Sequence, residues 1–499
     1  GDMRNRRIAL ACTLTFSLIA AVTFGGCGRF GAAVPRRDSG ELSAVRSSLD
    51  SLMDGSNLGQ AHIGVAAQSL NDGQWIYHHN TDRLFMPAST AKLFTAIAAL
   101  SKLGPTWRFT TSVTTDSSIV DGHALGNLLL VGSGDPTLHT PNLLDLAGDL
   151  AAMGITDIDG DLVLDVSWFD EVLYGPGWMW DEGPLPFNAP VSGLNVNGNC
   201  VRLTVRPGTV LGTPAAAGFH PTTMYGVIEN RAVTGQGSRL TIGRLDGEQG
   251  VDRWLVEGGV RLGSSPVTKF RSVSHPLTYV AKIWTEAIQH SRIELHGQVR
   301  FGTSPPQTVV LARHRSTTLD VIVRGYLKQS HNLAGESLVK TLGALEYGPP
   351  GSWRSGIGVI KRWLSRSVGI DSVQYRLVDG SGLSRYNLCS PLHLVKVLSY
   401  GYHRFDIAPE LMAALPVAGR DGTLRRRLAG RVGDGDLRGK TGSMSSVNGL
   451  AGYVRTADGE MLACAVLVNG FVGGGSDARA LQDEIVAILH RTPRPEVGD

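Results

Sequence analysis

Three short strings, far apart in the chain, are useful only if folding brings them together. They are Ser89-Thr90-Ala91-Lys92, Ser330-His331-Asn332 and Lys440-Thr441-Gly442-Ser443, with 241 positions from Ser89 to Ser330 and 110 from Ser330 to Lys440. A serine hydroxyl attacks an amide carbonyl only after a base has taken its proton. On a helix, residues three apart share a face, so Lys92 can reach the Ser89 hydroxyl. A protonated lysine accepts nothing. Its pKa must therefore fall, and burial or a second nearby cation is the physical route. Lys440 is the second cation at hand.

Short motifs occur by chance in a chain of this length, so context decides. Ser337-Leu338-Val339-Lys340 repeats the Ser-x-x-Lys spacing, and Ser69-Leu70-Asn71 and Ser446-Val447-Asn448 repeat Ser-x-Asn. Ser89, however, follows Pro87-Ala88 and opens an apolar periodic stretch, Leu93, Phe94, Ile97 and Leu100, that stops at Gly104-Pro105. That pattern predicts a helix with Ser89 at its start. Ser337 falls well inside the helical stretch that follows Asn332. Alone, Ser89 reads as a helix cap beside a surface lysine. The Lys440 string alone reads as a turn with a solvated lysine. All three in order reverse both readings.

With Phe85-Met86-Pro87-Ala88 before the first string and Leu333-Ala334-Gly335-Glu336 after the second, the set resembles the SxxK, SxN and KTG motifs of penicillin-binding enzymes. The long first gap resembles the D-alanyl-D-alanine carboxypeptidase/endopeptidase family typified by penicillin-binding protein 4, in which an extra domain interrupts the catalytic one. The resemblance implies an α+β fold, an antiparallel sheet flanked by helices and interrupted by a β-rich insertion. It implies Ser89 as acylated nucleophile, Lys92 as base and Ser330 as proton relay. Asn332 would steady the lysine and donate to the substrate amide, and Lys440 would anchor a carboxylate. Thr441, Gly442 and Ser443 would bind substrate, with Ser443 and the unpaired Ser89 N–H forming the oxyanion hole. Trp178-Met179-Trp180-Asp181-Glu182 also matches a family segment; there Glu182 would read the peptide side chain, with Met444 lining the same pocket. Read without the resemblance, Glu182 is a solvated acid beside packed tryptophans.

The implied substrate is the stem peptide of peptidoglycan, with β-lactam antibiotics as inhibitors that acylate the same serine. No metal or organic cofactor is implied. Two rival readings are a β-lactamase, whose usual short first gap is absent here, and a non-catalytic wall-binding homologue, against which Lys92, Ser330, Asn332 and Lys440 argue. His331 stands where many relatives carry Asp; it can influence the pH profile, although a partly exposed spectator is the simpler reading. Gly132–Leu138, Asp379–Arg385 and Leu415–Leu424 also match family segments. Each reads locally as a turn cluster with a structural role, and none is assigned catalysis.

At 499 residues the chain is too long for one ordinary core. A net charge of +3 without a basic stripe argues against a nucleic-acid partner. Arg4, Arg6 and Arg7, an apolar run from Ile8 to Phe24 and then Gly25-Gly26-Cys27 have the order of a secretory signal. Cys27 is a candidate lipidation site and the N-terminus a candidate membrane anchor, which puts the protein in the periplasm or on the outer face of a bacterial membrane. The domain reading is a signal over 1–27, the first part of a D,D-peptidase domain over 28–112, an insertion over 113–315 and the second part over 316–493. Cys200, Cys389 and Cys464 lack metal-ligand spacing and are expected to be buried or partly paired. Asn71-Asp72-Gly73 between Ile63–Leu70 and Trp75–Tyr77 predicts a hairpin. Within the insertion, Val201, Leu203 and Val205 alternate with Arg202, Thr204 and Arg206, as in a half-buried strand.

Overall fold

Alternation of apolar residues in the two end segments of the chain places one sheet between two apolar layers. In the computed structural model, which describes residues 39–247 and 250–493, strand His62–Ser69 pairs antiparallel with strand Met461–Asn469 over its whole length. Val65 and Ala67 join Leu462, Cys464, Val466 and Val468 in one apolar cluster with Leu42, Leu49, Leu481 and Ile485 of the helices Ser39–Asp54 and Ser476–His490. Ala66, Ala463, Ala465 and Leu467 point the other way, into a larger cluster with Phe94, Ile97, Val395 and Leu398 of the helices Lys92–Leu103 and Pro391–His403. The period of two thus sorts one strand pair between two cores. Small alanines on the second face let a central helix approach closely. The signal-like stretch and Cys27 lie outside the described residues.

The sheet has five strands in the order Leu437–Met444, Val447–Arg455, Met461–Asn469, His62–Ser69 and Trp75–His79. Its first two hairpins are local, and the pairing of His62–Ser69 with Met461–Asn469 closes the two ends of the chain on each other. The predicted Asn71-Asp72-Gly73 turn is present: Gly73 takes a φ of +75° and Asp72 accepts from the Gln74 N–H at 2.8 Å. Leu437–Met444 is an edge strand: Pro416 and Ala418 hydrogen-bond its first residues, Gly439 and Leu437, and its later residues run beside Ala88–Ala91. This edge positions the site.

The middle of the chain builds a separate apolar cluster around Val201, Leu203, Val205, Trp254 and Trp284. Val201, Leu203 and Val205 are fully buried, as their alternation requires. The stretch leaves along Thr110–Thr115 and returns along Val309–Arg315, which pair antiparallel within a second five-stranded sheet. Three smaller sheets follow among the described residues. The region is less purely β than its sequence suggests, because the helices Thr140–Ala152 and Pro276–His290 pack inside it. In the second, Tyr279, Val280, Ile283, Trp284, Ala287 and Ile288 form a helical stripe that the surrounding strand patterns obscured.

Cys200, Cys389 and Cys464 are buried and unpaired, and burial raises the thiol of Cys200 to about 12, so it is inert. Among the described residues no helix is long and apolar enough to cross a membrane.

Candidate active site

Ser89 lies in a 3₁₀ turn, Ala88–Ala91, that runs directly into the helix Lys92–Leu103. The helix is buried from Lys92 to Leu100 on every side, which explains its Ala-rich and Leu-rich composition. Lys92 Nζ is held by three oxygens: Ser89 Oγ at 3.0 Å, Asn332 Oδ1 at 2.7 Å and the Ser381 carbonyl at 2.7 Å. Burial lowers its pKa to about 7, against the opposing pull of the Glu336 and Asp379 carboxylates.

Of the two routes expected from the sequence, burial is the larger at Lys92. The influence between the two lysines is seen at Lys440, whose pKa is lowered well below the ordinary value first by burial and then by Lys92.

Asn332 begins the helix Asn332–Tyr347 and is nearly buried. Its carbonyl oxygen steadies Lys92, and its NH₂ group donates to the Phe187 carbonyl at 2.9 Å, tying the site to the middle region. Ser330 precedes it with a φ of +58°, a strained value for a residue with a side chain. Ser330 lines the cleft and makes no hydrogen bond to Lys92. The His331 ring leans against Gly198 outside the cleft. His331 is an exposed residue whose ring is nonetheless flanked by protein on several sides, and that enclosure, then the charges of Lys92 and His139, hold its pKa below the ordinary value.

The loop from Asp379 to Asn387, whose Asp379–Arg385 stretch reads from sequence as a structural turn cluster, closes the floor of the site. Ser381 supplies the third oxygen on Lys92. Gly382 takes a φ of +80°, and a Cβ there would lie 1.9 Å from the Ala88 carbonyl, so only glycine fits against the nucleophile turn. Two buried carboxylates hold this loop. Glu336 accepts from the N–H groups of Gly380, Ser381 and Trp353. Asp379 accepts from Gly382, Ser384, Asn387 and Trp178. Burial pushes both acids up, and Asp379 pushes Glu336 further, to about 7. The N–H donors cannot accept, and they and the Ser381 side-chain hydrogen bond to Glu336 favour the ionised form. A Gly/Ser/Asp cluster carries no local sign of such a task; the resemblance to a family segment was the available signal.

The edge strand Leu437–Met444 forms the opposite wall. A Cβ on Gly442 would fall 2.8 Å from the Pro87 carbonyl and 2.9 Å from the Ser89 nitrogen, so glycine here lets the strand reach the nucleophile turn. Lys440 is fully buried and donates to the Thr441 carbonyl at 2.7 Å. Thr441 bonds Thr423 of the Leu415–Leu424 segment at 2.7 Å. Ser89, Ser330, Asn332, Ser443, Met444 and Glu182 all line one cleft of about 330 Å³. The structure therefore brings Glu182, from the middle region, into the same cavity as the serine. Arg385, which sequence reasoning passed over, lines it too and donates to the Ser445 carbonyl at 3.2 Å.

The decoy strings go elsewhere. Ser337 is buried and accepts from Asn195 at 3.4 Å, and Lys340 pairs with Asp170 at 2.7 Å. Ser69 bonds Glu460 at 2.5 Å.

Comparison with known proteins identifies the family. The family profile described as D-Ala-D-Ala carboxypeptidase 3 (S13) matches residues 45–492. The chain is 33% identical over 462 residues to a D-alanyl-D-alanine carboxypeptidase of Actinomadura sp. (strain R39), covering 90% of this chain and 85% of the relative. It is similar to the crystal structure of penicillin binding protein 4 from Haemophilus influenzae, with a TM-score of 0.79 and 28% identity, covering 89% of this chain and 99% of that one. A crystal structure of the same protein complexed with a β-lactam gives a TM-score of 0.75 at 27% identity, with the same two coverages.

Proposed function

This chain belongs to the D-Ala-D-Ala carboxypeptidase 3 (S13) family, and we propose from that premise that Ser89 is its acylated nucleophile and Lys92 the base that activates it. The protein is a serine D,D-carboxypeptidase/peptidase of peptidoglycan, and penicillin binding follows from the same family. The observation that carries the residue assignment is the set of oxygens around Lys92 Nζ. A neutral amine has two N–H donors and one lone pair. Asn332 Oδ1 and the Ser381 carbonyl can only accept, so they take both donors and leave the lone pair facing the Ser89 hydroxyl at 3.0 Å. A pKa near 7 leaves a large share of Lys92 in that form at neutral pH.

Attack then proceeds as the cleft suggests. Ser89 Oγ adds to the carbonyl of the penultimate D-alanine while its proton passes to Lys92. The Ser89 N–H and the Ser443 N–H on the edge strand would receive the oxyanion. The Ser330 hydroxyl would carry the proton on to the leaving amine, and the remaining N–H of Asn332 would hold the substrate amide. Water then attacks the acyl-enzyme and restores Ser89. Lys440 is the proposed carboxylate anchor: an arriving anion offsets the burial that keeps its ammonium depressed. Thr441, Gly442 and Ser443 would hold that terminal carboxylate, and Glu182 with Met444 would read the side chain of the third stem residue.

We assign residues 28–112 and 316–493 to the peptidase domain and 113–315 to the insertion. The pairing of Thr110–Thr115 with Val309–Arg315 and the separate apolar cluster between them support that division. Cutting peptidoglycan fits an exported protein, and the proposed location is the periplasm or the outer face of a bacterial membrane, with Cys27 as the proposed lipid anchor. Incubation with a labelled penicillin, followed by peptide mass mapping, tests the nucleophile. The adduct is expected on Ser89 and absent from Ser89→Ala; label on Ser337, or label surviving that substitution, overturns the assignment.

A further inference from the structure

A small sheet of the middle region gathers metal-ligating side chains that the peptidase chemistry does not use. Its strands His123–Ala124, Asp157–Ile158 and Glu294–Leu295 lie side by side and parallel, with His123 in register with Asp157 and Asp157 in register with Glu294. Register partners in a parallel pair project from the same face, and residues two apart share it. The His296 N–H donates to the Ile158 carbonyl at 2.9 Å, continuing the ladder, so its ring joins the row. The opposite face sends Ala124 and Ile158 into the core, both fully buried. Four ligand-bearing residues from three strands thus share one outer face.

The contacts converge on Asp157. His296 Nε2 lies 2.7 Å from Asp157 Oδ1, and His123 Nε2 lies 3.7 Å from Asp157 Oδ2. One ligand atom from each of Asp157, Glu294 and His296 falls within 4.8 Å of the others. Around a tetrahedral ion with bonds of about 2.0–2.1 Å, ligand atoms stand about 3.4 Å apart, so small side-chain rotations close the set. A second observation points the same way. His123 Nδ1 is 3.0 Å from Asp159 Oδ1, which turns Nε2 inward, the arrangement in which an outer carboxylate orients a metal-bound imidazole. An ordinary exposed His–Asp pair needs neither the second imidazole on the same carboxylate nor the neighbouring Glu294.

We propose that His123, Asp157, Glu294 and His296 bind one zinc-class divalent ion. Two imidazoles and two carboxylates suit Zn²⁺ and match its charge, whereas Ca²⁺ and Mg²⁺ prefer all-oxygen shells. The role is structural. The strands joined are two residues long, too short to be stable alone, and the ion ties position 157 to position 294 across most of the middle region.

The test uses the full chain, stripped with a chelator and titrated with Zn²⁺ against a fluorescent zinc indicator. One equivalent is expected, unaffected by excess Ca²⁺ or Mg²⁺, with a rise in the unfolding midpoint. His123→Ala and His296→Ala should each weaken binding about tenfold or more, and Asp157→Asn likewise. Labelled-penicillin acylation should stay at the wild-type rate in each variant, which shows that the fold is intact. Sub-stoichiometric zinc, or unchanged affinity and midpoint shift in the His123→Ala/His296→Ala double variant, overturns the proposal.

Discussion

Two Ser-x-x-Lys strings on two buried helices have opposite fates. Both lysines are fully buried, Lys92 in the helix Lys92–Leu103 and Lys340 in the helix Asn332–Tyr347. Lys340 meets Asp170 at 2.7 Å, the Val172 carbonyl at 2.6 Å and the Trp353 ring with its ammonium 3.9 Å from the ring centre. That is a cation's environment, and its partners Asp170 and Val172 come from the middle region. Lys92 meets two carbonyl oxygens and a hydroxyl and no carboxylate directly. The direct counter-ion holds Lys340 as a cation against the burial that pulls its pKa down, and Lys92, buried beside neutral oxygens, has no such support.

The sharpest way to break this contrast is to replace the lysines in turn. Lys92→Arg should lower the penicillin acylation rate by roughly a thousandfold, because a guanidinium cannot act as a base at neutral pH. Lys340→Met should leave the acylation rate of folded protein near wild type. Stopped-flow acylation of both variants decides it, and equal losses would dissolve the distinction. Lys340→Met should instead show its effect in denaturant unfolding, with a loss of about 3 kcal/mol, since Asp170 is left without its partner.

A smaller effect separates the lysines by pH. If Lys92 is the base, its neutral form carries the reaction, so the acylation rate should rise tenfold per pH unit below about 7 and level above it. His331→Asn should leave that midpoint in place, because the ring is already neutral near pH 7 and lies outside the cleft. A midpoint that moves with His331 would transfer the titration to the imidazole.

Glu182 sharpens the comparison from the substrate side, because it shares a cleft with Ser89 and not with Ser337. Glu182→Ala should lower kcat/KM on a diamino-acid-containing peptide by roughly tenfold, about 1.4 kcal/mol, while acylation by the smaller penicillin changes much less. A parallel fall in both reactions would make Glu182 a support of the site and not a reader of the peptide.

Local signals determined a good deal on their own. Pro87-Ala88 followed by Leu93, Phe94, Ile97 and Leu100 marked a helix start beside a serine, and Asn71-Asp72-Gly73 marked a hairpin, because both rest on backbone geometry within a few residues. The order and spacing of the three strings pointed to the family. What the residues near Ser89 could not reveal is what surrounds Lys92. The Ser381 carbonyl lies 289 positions away, Asn332 lies 240 away, and the loop that carries Ser381 is shaped by Glu336 and Asp379, whose carboxylates are ordinary letters in the sequence. Lys92 and Lys340 also look alike in sequence, since each follows a serine by three. Only folding decides which of them meets Asp170 and which meets carbonyls. A lysine's charge state is set by the medium and the partners within a few ångströms, and those partners come from distant parts of the chain.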